Sequence, residues 1–184
     1  MKNRCEWAQN EPNLSYHDTE WGVPQHDDQK LFEFLILEGA QAGLSWTTIL
    51  NRRNGYRNAF CNFDVNAVSK FNQKDIKKLL NDNSIIRNKL KINSTINNAK
   101  QFIKIQKQFG TFDRYVWSFV NNEPIKNKFK KHSDLPAYTE ISENLSMDLK
   151  KRGFTFVGPT ICYAFMQAVG MVNDHTVNCF KYLK

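Results

Sequence analysis

The chain has 184 residues, 41% hydrophobic and 24% charged, with a net charge of +8 and a pI near 9.3. That length builds one well-buried core, and the composition excludes a disordered chain. No apolar run approaches a membrane span, and four cysteines without a CxxC pair exclude a disulfide-rich scaffold. The basic balance suits a polyanionic partner and equally suits a merely soluble surface. The opening MKNRCEWAQNEP has no signal-peptide core, so the expected compartment is cytoplasmic, with reduced or metal-bound thiols.

Along the chain, Asp27 and Asp28 are placed to cap a helix through KLFEFLILEGA, where apolar residues recur at helical spacing. Gly39 and Gly43 follow, and glycine inside a helix signals a break, a close contact or a backbone that must approach something. Trp46 to Arg53 reads as helix. Asp64 caps VNAVSKF, and Asn72 with Asp75 forms a capping box for DIKKLL. The amphipathic stretch from Ile85 is closed by Gly110. Thr111 opens FDRYVWSFV, Ser142 opens a helix ending at Gly153, and a last apolar helix starts at Thr160 after FTFVGP. Asn121 to Tyr138, Lys-rich and punctuated by Pro124 and Pro136, reads as a connection. The class is all-α, with no run suited to a central strand.

Three constellations carry chemistry. Cys5, His17, His175 and Cys179 form a Cys2His2 set, with His175 and Cys179 spaced for one helical turn. Spacing alone favours the plainer reading of buried cysteines and unrelated histidines. His26 and His132 sit in polar surroundings and receive no role. The link KKRGFTFVGPTICYAF joins two helices through Gly158, and unpaired amides at such a helix start, with Lys150, Lys151 and Arg152 upstream, suit a phosphate. A surface helical hairpin with solvated lysines has the same sequence signature.

The third is Glu38, a carboxylate in the apolar run ILEGAQAGLSW. On a continuous helix Leu31, Phe34, Leu35 and Ala42 share its face, so it needs a partner. Tyr16, Trp21 and Trp46 are bracketed by polar or glycine-containing segments. An aromatic cage with one carboxylate suits a flat, cationic, hydrogen-bonding ligand. Core tryptophans and a salt-bridged glutamate are the plain alternative.

The blocks YHDTEWGVP, LEGAQAGLSW and KKRGFTFVGPTICYAFMQAVGMVNDH, with IIRNKLKI, YVWSFVN and the terminal Cys179, resemble the bacterial 3-methyladenine DNA glycosylase I family over essentially the whole chain. The resemblance implies an all-α helix–hairpin–helix glycosylase, with residues 1–184 as a single domain. It implies hydrolytic release of 3-methyladenine from double-stranded DNA, leaving an abasic site with no lyase step, by an enzyme whose lesion scanning suits a monomer. It implies one structural Zn2+ held by Cys5, His17, His175 and Cys179. Glu38 would contact the methylated base, with Tyr16, Trp21 and Trp46 as walls. Leu44 would fill the vacated stack, and Lys151, Arg152, Gly158 and Thr160 would meet DNA. Asp174 would hydrogen-bond near His175 rather than act as the catalytic Asp of related families. Two departures stand out. Asn13-Leu14-Ser15 lies where relatives carry another aromatic, and Ser84 lies where a glycine is common.

Overall fold

The computed structural model describes residues 2–182. Among the described residues the chain forms α1 (Asn13–Thr19), α2 (Asp28–Gln41), α3 (Trp46–Ala59), α4 (Val65–Ser69), α5 (Gln73–Asn81), α6 (Lys89–Phe109), α7 (Phe112–Trp117), α8 (Glu140–Lys151) and α9 (Pro159–Ala168). A single parallel bridge joins β1 (Ile125–Lys126) to β2 (Val172–Asn173), which ties the long connection to the segment after α9. No helix is long and apolar enough to cross a membrane.

The molecule is organised around α2. Every residue from Leu31 to Ala40 is buried, because α3, α6, α7 and α9 all pack against this helix. A helix enclosed on all sides buries every face, here with Glu33 and Glu38 among its apolar residues, so the one-sided stripe expected from periodicity is only part of its burial. Its ends are fixed by charge. Asp27 accepts from the Lys30 amide as N-cap. Asp28 is recruited elsewhere: it accepts from the Phe112 and Asp113 amides at 2.9 and 2.8 Å and so caps α7. At the other end Lys91 Nζ donates to the carbonyls of Ala40 and Ala42, each at 2.7 Å. These are helix-terminal carbonyls that otherwise lack donors.

The caps at Asp64 and Asn72–Asp75 form as expected. Elsewhere the boundaries move to the stronger cap. α6 begins behind Asn88, whose side chain accepts from Leu90 and Lys91, so Ile85 and Ile86 lie outside it. α8 begins behind Thr139, and Ser142 is the third residue of its capping box rather than its opening. α9 begins at Pro159, whose ring suits a first helical turn. α3 continues past Arg53 to Ala59.

Gly39 stays inside α2 because a Cβ there would lie 3.3 Å from Phe156, where the α8–α9 link crosses the helix. Gly43, at φ +77°, makes the turn into α3. Ser84 is absent from the residues with positive φ. The turn there is built instead by Asp82, which accepts from the Ser84 amide and hydroxyl at 2.8 and 2.6 Å.

Candidate active site and metal centre

Cys5, His17, His175 and Cys179 converge, all four buried, with their donor atoms within 4.8 Å of one another. Cys179 Sγ is 3.4 Å from His17 Nε2 and 3.6 Å from His175 Nδ1, and Cys5 Sγ is 3.7 Å from His175 Nδ1. The expected helical turn is not what brings the last two together. His175 to Cys179 runs through turns after β2, closed by Cys179 N donating to Thr176 O at 2.7 Å.

The two rings are oriented by opposite nitrogens. His17 Nδ1 pairs with Asp18 at 2.9 Å, and Arg4 holds Asp18 in turn. His175 Nε2 donates to the Trp21 carbonyl at 3.2 Å. Burial lowers the pKa of His17 and takes His175 down to about 4, which leaves both imidazoles in the neutral, ligating form. Burial also pushes the Cys5 thiol up to about 11, so a thiolate there needs a cation beside it. Four inward donors in this arrangement could hold a metal ion.

Asp174 does not reach the His175 ring. Its carboxylate accepts from Asn127 at 2.7 Å, Tyr163 at 2.5 Å and Gln167 at 2.8 Å. Three donors make it a fastener between the connection, α9 and β2, which corrects the role beside His175.

On the other side of Trp21 lies a cleft of about 330 Å³, lined among others by Tyr16, Trp21, Glu38, Trp46 and Gln41. Trp21 stands between the two sites, its ring edge-on to His175 at 4.7 Å and to Trp7 at 5.1 Å. Tyr16 and Trp46 tilt against each other at 5.4 Å. The polar groups of this wall are conspicuously unmatched. Tyr16 OH, Trp46 Nε1 and Asn13 Oδ1 are buried without a hydrogen-bond partner. No protein donor reaches Glu38 among the described residues, and burial raises its carboxyl to about 8. Burial, and after it the Glu38 charge, also raise the Tyr16 phenol, which therefore remains a donor.

A second cleft of about 230 Å³ opens from Glu38 and Gln41 past Gly43 and Leu44 to Thr160 at the start of α9. Leu44 is 39% exposed, a large apolar side chain at the rim rather than in the core. Gly158 caps α9, and a Cβ there would enter open space. Thr160, the second residue of α9, is exposed, as are Lys150 and Lys151 at the end of α8. Arg152 is differently placed: its guanidinium bonds Asp148 at 2.5 Å and Gln108 at 2.7 Å and lies 5.0 Å from the rings of Phe109 and Tyr115. It fastens the end of α8 rather than standing free for a phosphate.

Residues 7–182 match the family model described as methyladenine glycosylase. The chain belongs to the methyladenine glycosylase family. It is 47% identical to DNA-3-methyladenine glycosylase 1 of Escherichia coli K12, over 97% of this chain and 96% of that protein. A crystal structure of a 3-methyladenine DNA glycosylase I superposes with a TM-score of 0.95 at 44% identity, covering 98% of this chain and all of that one. The Staphylococcus aureus 3-methyladenine DNA glycosylase I, solved for the basis of its 3-methyladenine recognition, also gives 0.95, at 34% identity over 100% of this chain and 98% of that one.

In this methyladenine glycosylase the cleft and the Cys/His cluster assemble the residues singled out from sequence and add several that were not. Trp7, Gln41, Thr47, His132 and Leu135 also line the cleft. Trp7 carried a signal, an aromatic in a polar segment next to Cys5. Asp18 carried another, a carboxylate adjacent to a histidine of the Cys/His set. His132 and Leu135 arrive from a connection whose path no local pattern specifies.

Proposed function

We propose that this protein hydrolytically excises 3-methyladenine from alkylated double-stranded DNA, leaving an abasic site without strand cleavage. The observation that carries the reading is the cleft with an unpaired carboxylate and two unpaired donors between aromatic walls. A methylated adenine still attached to its sugar is a flat cation bearing N–H groups. It supplies both the charge that Glu38 lacks and the faces that Tyr16, Trp21 and Trp46 stack on.

The lesion leaves the duplex through the gap between Leu44 and Thr160, at a cost of a few kcal/mol. Leu44 occupies the space it vacates. The first amides of α9, with Lys150, Lys151 and Thr160 around Gly158, hold the backbone phosphate, while Arg152 keeps the turn in shape. As the cationic base enters the cleft, its charge favours ionisation of Glu38, whose proton passes to solvent, and the carboxylate ion-pairs with the base. The glycosidic bond then breaks with its electron pair going to the base, which leaves neutral, and the sugar passes through an oxocarbenium-like state. Water adds at the anomeric carbon and releases a proton. Neutral adenine cannot compensate the Glu38 charge, so the pocket favours the alkylated base. No lysine lines the cleft among the described residues, which supports hydrolysis rather than a lyase step through an amine. With Asp174 already accepting three hydrogen bonds, the weakness of the cationic glycosidic bond takes the place of a strong general base.

The same reading assigns one zinc ion to Cys5, His17, His175 and Cys179. Tetrahedral zinc with thiolate and imidazole ligands sets neighbouring donors roughly 3.5 Å apart, close to the 3.4–3.7 Å separations in the cluster. Bound there, zinc would serve structurally, because four protein donors leave no position for water. The residues act as a clip that joins both ends of one domain behind Trp21. The protein is proposed to work as a monomer.

Incubating the protein with methylated DNA and chromatographing the released bases tests the activity. Release of 3-methyladenine well above the spontaneous rate is expected, and release at the spontaneous rate would refute the reading. Metal analysis of purified protein is expected to find about one zinc per chain.

A further inference from the structure

One polar atom in the cleft wall has no part in the chemistry above. Asn13, the first residue of α1, lines the cleft with Tyr16, Trp46 and Thr47. Its amide nitrogen donates to Thr47 Oγ1 at 2.9 Å, which fixes the plane of the carboxamide. The other end of that amide, Oδ1, is buried without a hydrogen-bond partner. Buried carbonyls are rarely left this way unless something else completes them.

The cleft therefore offers two unmatched donors, Tyr16 OH and Trp46 Nε1, and two unmatched acceptors, Glu38 and Asn13 Oδ1. An adenine-type base carries an exocyclic amine whose two N–H bonds diverge in the ring plane. One carboxylate on one side of that amine leaves the second N–H without an acceptor. A guanine- or hypoxanthine-type base carries a carbonyl oxygen at the same position. That oxygen would face the amide carbonyl, acceptor against acceptor, with no proton to share.

We propose that Asn13 is a specificity-determining residue whose Oδ1 accepts an N–H from the exocyclic amine of the flipped base. The pocket then selects amine-bearing alkylated purines over those with a carbonyl at that position. The inference rests on the glycosylase reading and names the feature of the base that this wall recognises.

Trp7, Trp21 and Trp46 line the cleft, so quenching of tryptophan fluorescence reads binding of free bases directly. The probes are 3-methyladenine and 3-methylhypoxanthine, which replaces the amine with a carbonyl. Wild type is expected to prefer 3-methyladenine. Asn13→Leu, which keeps the side-chain shape and removes the acceptor, is expected to weaken 3-methyladenine roughly five- to tenfold, the worth of one hydrogen bond. Its affinity for 3-methylhypoxanthine should hold or improve, so the preference collapses. Asn13→Ala, measured alongside with melting temperatures, gives the same collapse if the leucine variant folds poorly. Equal losses on both bases, or an unchanged preference, would overturn the role of Asn13 while leaving the glycosylase reading intact. Wild type that binds neither base and releases no 3-methyladenine from methylated DNA would overturn both.

Discussion

Two buried glutamates stand on α2, and their surroundings are opposite. Glu33 is enclosed by cations: Arg53 Nε lies 2.7 Å away, Arg57 Nη2 2.8 Å and Lys30 Nζ 3.1 Å. Burial alone would raise its pKa, but Arg53, then Arg57 and Lys30, outweigh burial and hold it below the ordinary value. Arg53 also reaches Glu20 at 2.8 Å, so the cluster ties the residue after α1 to α2 and α3. Glu38 has no such company, and its carboxyl rises to about 8. One helix thus carries a finished ion network and an unfinished one. The finished network holds elements together, and the unfinished one is the proposed place for the base.

The largest effect comes from breaking the finished side. Arg53→Met leaves Glu33 short of its main partner and is expected to cost about 3 kcal/mol, the scale for an uncompensated buried charge. Denaturant unfolding measures it, and a loss under about 1 kcal/mol would mean that Arg57 and Lys30 suffice. Excision by the surviving folded fraction should change far less.

The unfinished side is expected to behave in reverse. Glu38→Gln should lose about 10- to 100-fold in excision, the scale of a charge-assisted hydrogen bond, while DNA affinity changes little. It should also melt higher than wild type near pH 8. In the unfolded chain Glu38 ionises near the ordinary glutamate value of 4.5, whereas the folded chain keeps the proton to about 8. Between those values the folded state binds the extra proton, so this residue's contribution to stability falls as pH rises. Melting both proteins at pH 5 and pH 8 tests the sign: the advantage of the glutamine variant should be larger at pH 8.

A smaller consequence follows for the wild type. Capture of the cationic lesion displaces the Glu38 proton, so kcat/KM should climb from pH 6 towards about 8 and then level. A flat profile would mean that the base binds without ionising Glu38. The smallest expected effect is at the rim. Leu44→Ala should slow excision from duplex DNA severalfold and leave single-stranded substrate nearly untouched, since only the duplex has a stack to refill.

Much of this contrast was legible in the residues themselves. Glu38 stood out because a carboxylate interrupts an apolar run, and the helix around it was bounded by a recognisable cap at Asp27. Glu33 did not stand out, since its partners Arg53 and Arg57 come from the next helix and no local pattern reveals that pairing. The four clustered Cys and His residues were legible as residue types. Their assembly was not, because His175 and Cys179 meet through turns rather than along a helix. Arg152 looked like a free cation until Asp148, one helical turn away, and Gln108, far away in sequence, claimed it. Asp174 was misplaced for a related reason: Asn127 comes from the long connection, and Tyr163 and Gln167 come from α9, brought round by the turn that follows it. Caps and periodicity are local physics, whereas a side chain's partner is settled by packing.

The clamps on α2 have a mechanical consequence. Asp28 pins the start of the helix to α7, and Lys91 pins its last carbonyls to α6. Leu44 projects just beyond the second clamp, after Gly43, which has open space around it. In the proposed complex, a strained duplex pressing back on Leu44 would meet the Gly43 turn first and the clamped end of α2 behind it. Glu38, between the two anchors, would then keep its position while the DNA moves.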